Sequence, residues 1–393
     1  MPLRRVDIVL AGYGRVGRAL AALLLERGAG VAERYGLDLR LRRVITSRGV
    51  LDLPEGQAYA AGLRDLVEGG AAAPCGERPG PPRGGGTGPA RGGAGFPARE
   101  VVGVPREVLA SAVAGDVLVD ATPTDLASGQ PGLAYLRAAL GAGMHGVALS
   151  KGPLVVDWTG LQWLAARKGT RLMVSGATAA ALPAGDTLVY SLTGAEVLSI
   201  EGVLNGTTNY ILDRMEQGLT YREALAEAQA RGIAEPDPRL DVEGWDTAAK
   251  MVILANLAWA TPASPGSGAA SGAPPGSGAA WGAGSPGRAA TLGDARVTGI
   301  TSLTPEQLAQ SRRQGRVLKL VGRALPPEGG RAPRIEVGPV DLPEDHPLAR
   351  LTGANKGVTF VTDLMGSVTV TGGESSPRAA AAAALKDIIH LYI

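Results

Sequence analysis

The 393-residue chain sets 39 Lys and Arg against 37 Asp and Glu, a net charge of +2 with no basic stripe and no acidic tail. No apolar run reaches the roughly 18 residues needed to span a bilayer. We therefore expect a cytoplasmic protein acting on a small molecule, with no nucleic acid or membrane partner, and long enough for two domains that each bury a core. One cysteine, Cys75, and three histidines, His145, His346 and His390, are too few for a thiolate metal site or a zinc alcohol dehydrogenase centre. Cys75 lies in a Gly/Pro-rich stretch and is a poor thioester nucleophile. Any proton transfer falls to other side chains.

Val6 to Leu10 reads as a buried strand, and Val16, Leu20, Leu23 and Leu24 then share one apolar helix face. Between them stands Gly12-Tyr13-Gly14-Arg15-Val16-Gly17, the spacing of a dinucleotide-binding turn. The first glycine turns the chain, the second admits a pyrophosphate, the third lets helix and strand pack closely, and the helix N-terminus supplies N–H groups. A glycine-rich turn without a ligand would carry the same residues. The strand Leu39 to Ile45 runs into Thr46-Ser47-Arg48-Gly49, which lacks the carboxylate that holds a free ribose 2′-hydroxyl. Arg48 with Ser47 suits a 2′-phosphate, so NADP is expected ahead of NAD; a solvated loop arginine is the alternative.

A low-complexity stretch over about 69–98 precedes the strands Val117 to Asp120 and Gly146 to Leu149, and a second covers about 261–290; neither buries enough apolar surface to order itself. The carboxyl ends of these two strands carry Thr122, placed to border a nicotinamide ribose, and Lys151, one of few lysines. An ordinary turn and a surface lysine would read the same way. Alternating strands and helices to this point predict a parallel sheet with crossover helices. From about 195 the rhythm changes to a strand, Val197 to Val203, followed by helices near 206–217, 221–231 and 243–259. That pattern predicts a second, α+β domain. The tail adds a hairpin around Gly366 and an Ala-rich helix closing at Leu385 to Leu391. The boundaries read as 1–153, 154–340 and a segment 341–393 that returns to the first domain.

The densest constellation is GVLNGTTNYI over 202–211, AEPDP over 234–238 and DVEGWDTAAK over 241–250. Asp246 and Lys250 are i, i+4 neighbours in the favourable order, a pair contributing about 0.2–0.5 kcal/mol on an exposed helix. Asp241 and Glu243 suit a helix N-terminus. Read alone, these residues are capping and dipole chemistry.

Read together and in this order, they resemble the signature of the homoserine dehydrogenase family. GYGRVG, DATPTD and SKGPL upstream and HPLARLTGANKGVTFVTD downstream extend the similarity over nearly all the chain outside the low-complexity stretches. The similarity is to the short form, without an appended regulatory or kinase module. It implies a Rossmann-type parallel-sheet domain plus an α+β catalytic and dimerisation domain. It implies NAD(P)-dependent interconversion of L-homoserine and L-aspartate 4-semialdehyde, in threonine, methionine and isoleucine biosynthesis, by a homodimer. Lys250 is then the general acid/base, Glu235 holds the substrate ammonium, Asp246 organises substrate and Lys250, and Thr207 lies in the substrate-contacting turn. Lys151 stands between nicotinamide and substrate, and Asp241 belongs to the carboxylate cluster. A lysine serves as base when burial or a second cation lowers its proton affinity; Lys151 acts in that sense and Asp246 against it.

Three positions depart from the family. Ser150 replaces an asparagine before Lys151, and Ile233 stands where an aromatic is frequent. The loop Gly176 to Pro183 is one residue short and lacks the family loop's glycines. In some members that loop holds a monovalent cation on backbone carbonyls, so the departure around Ala177 and Ala179 argues against a metal here. Two further readings compete: a non-catalytic NAD(P) sensor, disfavoured by Lys151, Glu235, Asp246 and Lys250 occurring together, and an oxidoreductase for another small amino or hydroxy acid.

Overall fold

In the computed structural model, residues 2–69, 114–260, 288–373 and 375–393 are described. Cys75 and both low-complexity stretches, apart from their margins, lie outside them. At one margin Ala290 is buried and exchanges two hydrogen bonds with the Asn256 side chain, so the second stretch ends short of residue 290.

β1 (Arg4–Ala11) is buried from Ile8 onward because helices cover both faces of its sheet. It enters α1 (Arg15–Tyr35), whose Leu20, Leu23, Leu24 and Val31 face the core and which ends at Gly36 in the left-handed conformation. β2 (Leu37–Thr46) pairs in parallel with β1 and turns back into the short antiparallel β3 (Gly49–Asp52). After α2 (Tyr59–Glu68) come β4 (Val117–Asp120), α3 (Gly132–Gly141), β5 (His145–Ala148), α4 (Gly152–Val156), α5 (Trp158–Lys168) and β6 (Leu172–Met173). The sheet order is β3-β2-β1-β4-β5-β6, parallel apart from β3. Connections leave β1 in opposite directions, so the carboxyl ends of β1 and β4 flank the crevice where such sheets bind ligands. The sheet runs past residue 153, since β6 lies at 172–173.

α6 (Ser175–Ala179) and α7 (Ala184–Asp186) lead to a second sheet. It is built from β7 (Val197–Val203), β8 (Ala295–Val297), β9 (Arg316–Leu325), β10 (Arg334–Pro343), β11 (Lys356–Thr362) and β12 (Gly366–Gly372), in the order β12-β11-β7-β9-β10-β8. All its pairings are antiparallel except that of β8 with β10. Between β7 and β8 run α8 (Gly206–Glu216), α9 (Tyr221–Ala230), α10 (Arg239–Val242) and α11 (Trp245–Trp259), and α12 (Pro305–Arg313) precedes β9. From Thr247 to Trp259, α11 is buried except at Lys250 and Leu257. A helix buried all round belongs to the centre of a domain. The hairpin β11–β12 belongs to this second sheet, so within 341–393 only α13 (Pro377–His390) lies on the first domain. There Ala381, Ala384 and Ile388 enter the core of β1, β2 and α1.

Candidate active site

The turn between β1 and α1 has the shape a pyrophosphate needs. Gly12 sits at φ 95°, and a Cβ there would fall 2.4 Å from the Ala121 carbonyl oxygen; one on Gly17 would fall 2.2 Å from that of Gly12. A Cβ on Gly14 would meet nothing within 4 Å, which leaves open space in front of α1. α1 starts without a side-chain cap and without an acid in its first turn, so its N–H groups keep their positive potential. The residues present fit a bound dinucleotide. Arg15 is exposed, Val16 half-buried, and the Tyr13 hydroxyl turns away to donate to the Leu66 carbonyl at 2.9 Å. Arg48 is exposed on the tight β2–β3 turn, its backbone N–H bonded to Thr46 Oγ1.

At the end of β4, Asp120 is fully buried and takes hydrogen bonds from Ser150 Oγ, Thr122 Oγ1 (2.6 Å) and the Thr122 N–H (3.1 Å). Burial pushes its carboxyl above the ordinary range, and the Ser150 and Thr122 bonds work against that rise. Thr122 is thus turned back onto the strand, and Ser150 ties the ends of β4 and β5 together next to Lys151.

Lys151 reaches across to the second domain, its Nζ 3.4 Å from Asp246 Oδ1. The other oxygen of Asp246 takes Lys250 Nζ at 2.6 Å and Asn205 Nδ2 at 2.8 Å. Gly244, at φ 91°, turns the chain so that α11 starts with Asp246 in its first turn and Lys250 one turn on. Lys250 also donates to the Leu204 carbonyl at 2.8 Å. Asn205 Nδ2 bridges Asp246 to Asp241 Oδ1 at 2.6 Å, while its Oδ1 caps α8 on the Thr208 N–H. Burial alone would raise the Asp246 carboxyl; Lys250, then Lys151, and the bonds from Lys250 and Asn205 hold it well below the usual carboxylate range. Asp241 moves the other way, pushed up by burial and then by the charge on Asp246. Thr207 Oγ1 donates to the Ile233 carbonyl at 3.1 Å, which ties α8 to the loop carrying Glu235. Glu235 itself is exposed, with its backbone carbonyl accepting from Gln229, and stands outside this hydrogen-bonded group.

A third lysine is more deeply buried. Lys356, first residue of β11 and 2% exposed, donates to the Ala179 carbonyl at 2.9 Å. The Leu182 N–H takes the same oxygen at 3.2 Å, so both lone pairs of that carbonyl are used. Burial, then the charge on Lys250, brings the Lys356 ammonium down to about 8, with Asp246 opposing. Ala177 and Ala179 are buried in α6. Among the described residues no cluster of three or more His, Cys, Asp or Glu side chains is disposed to hold a metal ion.

Comparison with known proteins matches this arrangement to one family. The homoserine dehydrogenase family profile matches residues 183–273 and 282–389. An NAD(+)-dependent homoserine dehydrogenase of Pseudomonas canavaninivorans is 31% identical over 392 residues, 98% of this chain and 96% of that protein. The chain belongs to the homoserine dehydrogenase family. A homoserine dehydrogenase of Methanocaldococcus jannaschii is 35% identical over 281 residues, 71% of this chain and 74% of its own. The solved structure of a hyperthermophilic archaeal homoserine dehydrogenase in complex with NADPH shares the fold, with a TM-score of 0.70 at 22% identity over 98% of this chain and 97% of that one. The family is one of NAD(P)-dependent oxidoreductases, and homoserine dehydrogenase activity is assigned accordingly.

Two members of the site escaped the sequence reading. Asn205 is legible only as a helix cap, and its second task, holding Asp241 and Asp246 together, depends on residues 36 and 41 positions away. Lys356 did carry a signal: a lysine opening an otherwise uncharged strand, KGVTFVT, in a chain with only six lysines.

Proposed function

We propose that the chain interconverts L-homoserine and L-aspartate 4-semialdehyde with Lys250 moving the proton, on the strength of one observation: Lys250 and Lys151, from different domains, share the two oxygens of Asp246. The bound dinucleotide supplies the acceptor or donor of the hydride. Lys250, once neutral, accepts the substrate hydroxyl proton as the carbinol C–H bond breaks, and returns it to the carbonyl oxygen in reverse. Asp246 fixes both ammonium groups, Lys151 faces the nicotinamide side, and Asn205 keeps the two carboxylates in register. Glu235, on its exposed loop, meets the substrate ammonium, and Thr207 and Asp241 border it.

Gly12 to Gly17 and Thr122 hold the cofactor in this reading, on the first sheet (β1 to β6), and the second sheet with its helices forms the substrate and dimerisation unit. NADP is preferred, because the β2–β3 turn offers Arg48 and no carboxylate. Homodimers and a cytoplasmic setting complete the proposal; exposed Leu198, Leu364 and Met365 on the second sheet suit a subunit contact, and among the described residues no helix is long and apolar enough to cross a membrane.

The test is turnover of L-homoserine with each dinucleotide. Lys250→Met is expected to lose about 10² to 10⁴ in kcat, the usual contribution of a positioned acid/base, while binding NADPH normally. Near-normal turnover would remove Lys250 from the mechanism.

A further inference from the structure

Building on the reading of Lys151 as the lysine between nicotinamide and substrate, we infer that Asp120 and Ser150 are a buried positioning pair for it: Asp120 fixes Ser150, and Ser150 fixes the backbone from which Lys151 reaches Asp246. Both residues are almost wholly out of water, Asp120 at 0% and Ser150 at 3% exposure. Their side chains meet directly, Ser150 Oγ on Asp120 Oδ2, between the carboxyl ends of β4 and β5. The proposed proton transfer uses neither side chain.

The fold is shaped to seat this carboxyl. Taking it out of water costs free energy that its hydrogen bonds must offset, and among the described residues its partners are Ser150 and Thr122 alone. α3 begins with Gly132, where a Cβ would fall 2.5 Å from Asp120 Oδ2, so the helix start leaves room for the carboxyl. Ionised, Asp120 accepts from Ser150; protonated, it can donate to it. The tie between the two strand ends holds in either state.

Two routes lead from Asp120 to Lys151. One runs through Ser150, the residue before it, which Asp120 joins to β4 beyond the last register pair, Asp120 with Ala148. The other runs through Thr122, whose N–H (3.1 Å) and hydroxyl (2.6 Å) both go to Asp120 Oδ1 and which opens the loop carrying Thr124, the acceptor of the Lys151 N–H at 3.4 Å. One residue on, a Cβ at Gly152 would fall 2.3 Å from the Asp125 carbonyl oxygen, so chain and loop are in close contact there. Lys151 thus leaves a backbone held from both sides, and its Nζ crosses to the second domain to lie 3.4 Å from Asp246 Oδ1. A misplacement of about 1 Å at a reacting group can lose about 10² in rate. Loosening Ser150 is therefore felt at Lys151, while the dinucleotide turn at Gly12 to Gly17 is left intact.

The experiment measures kcat, KM and dinucleotide binding for homoserine oxidation by full-length Ser150→Ala, Lys151→Ala and the double variant. Ser150→Ala should lose about tenfold in kcat while binding the dinucleotide as the wild type does. A residue that acts through Lys151 has nothing left to position once Lys151 is gone, so the double variant should match Lys151→Ala within about twofold, whereas independent structural damage would multiply the two losses. Asp120→Asn keeps a side chain of the same shape that can donate to Ser150 Oγ and accept from Thr122, and should stay within about threefold of the wild type. Asp120→Ala should lose at least as much as Ser150→Ala. Should Ser150→Ala fail to bind the dinucleotide, Ser150→Cys, which keeps the size and weakens the donor, is read in its place. Multiplied losses, a Ser150→Ala that turns over like the wild type, or an Asp120→Asn as impaired as Asp120→Ala overturns the inference. The underlying reading fails separately, if the wild type does not oxidise homoserine or if Lys151→Ala keeps its turnover.

Discussion

In the proposed mechanism Lys250 and Arg48 are held very differently. Lys250 is fixed before any ligand arrives: two acceptors, one charged and one neutral, hold its Nζ on the Asp246 side of the pocket, so little conformational freedom is lost when substrate binds. Arg48 is exposed on a tight turn, and in the proposed cofactor site it would bring charge rather than a preset geometry. A guanidinium on a 2′-phosphate makes charge-assisted hydrogen bonds, contributing about 1.5–3 kcal/mol. Arg48→Ala is therefore expected to raise KM for NADP by about ten- to a hundredfold, and to leave KM for NAD within about twofold. Steady-state kinetics with both dinucleotides reads this directly, and an unchanged ratio of the two would take the cofactor preference away from Arg48.

The loop between α6 and α7 holds an alanine in a conformation that favours glycine. Ala180 takes φ 56°, ψ −117°, the conformation of the first central residue of a type II′ turn, where glycine is the usual choice. An alanine there costs about 1–3 kcal/mol, offset by the roughly 0.5–1 kcal/mol of backbone freedom that glycine would lose on folding. The turn holds the Ala179 carbonyl on Lys356. Ala180→Gly is expected to stabilise the protein by about 1 kcal/mol, measured by denaturant unfolding; a destabilised variant would mean the turn is not strained.

The sequence shows an alanine-rich loop, but not which alanine bears the positive φ, because Ala179, Ala180 and Ala181 are alike in sequence. β1 and β4 were legible for the opposite reason: both faces are buried, so runs of Val, Ile and Leu announce them. β9 and β10 were not. β9 carries a lysine, Lys319, that is buried only because Asn209 Oδ1 and the Leu351 carbonyl accept from it, at 2.9 and 2.5 Å, and β10 is interrupted by Gly338 and Pro339. The site divides similarly: Asp246 and Lys250 are neighbours on one helix, whereas the approach of Lys151 to Asp246 is purely tertiary.

At the scale of the molecule, α13 fastens the last residues of the chain to the point where one sheet gives way to the next. Arg378 pairs with Glu26 on α1, and the fully buried Asp387 accepts from the Ser175 N–H at the start of α6. Ser175 Oγ lies 2.7 Å from Asp387 Oδ1 and 2.9 Å from Asp186 Oδ1, yet a hydroxyl has one proton to give. The hydroxyl serves one of them at a time, and Lys386 Nζ pairs with both, reaching Asp186 and, at 3.1 Å, Asp387 Oδ1. Burial is the largest influence on Asp387 and pushes its carboxyl up, with Lys386 and Ser175 opposing the rise and Asp186 adding to it. Asp387→Asn keeps a polar group of the same shape and should hold stability at about pH 7 within about 1 kcal/mol, while Asp387→Ala should lose about 2–3 kcal/mol by stranding Ser175 and its N–H. The pH dependence follows from the sign of the shift. A carboxyl with a raised folded-state pKa binds more protons folded than unfolded between its ordinary value and the raised one, so its contribution is complete below that window and is lost as pH rises through it. The wild type should thus gain stability relative to Asp387→Asn on acidification across the window. Unfolding curves that stay parallel throughout would show that Asp387 is ionised in the folded protein and that α13 is held by charge instead.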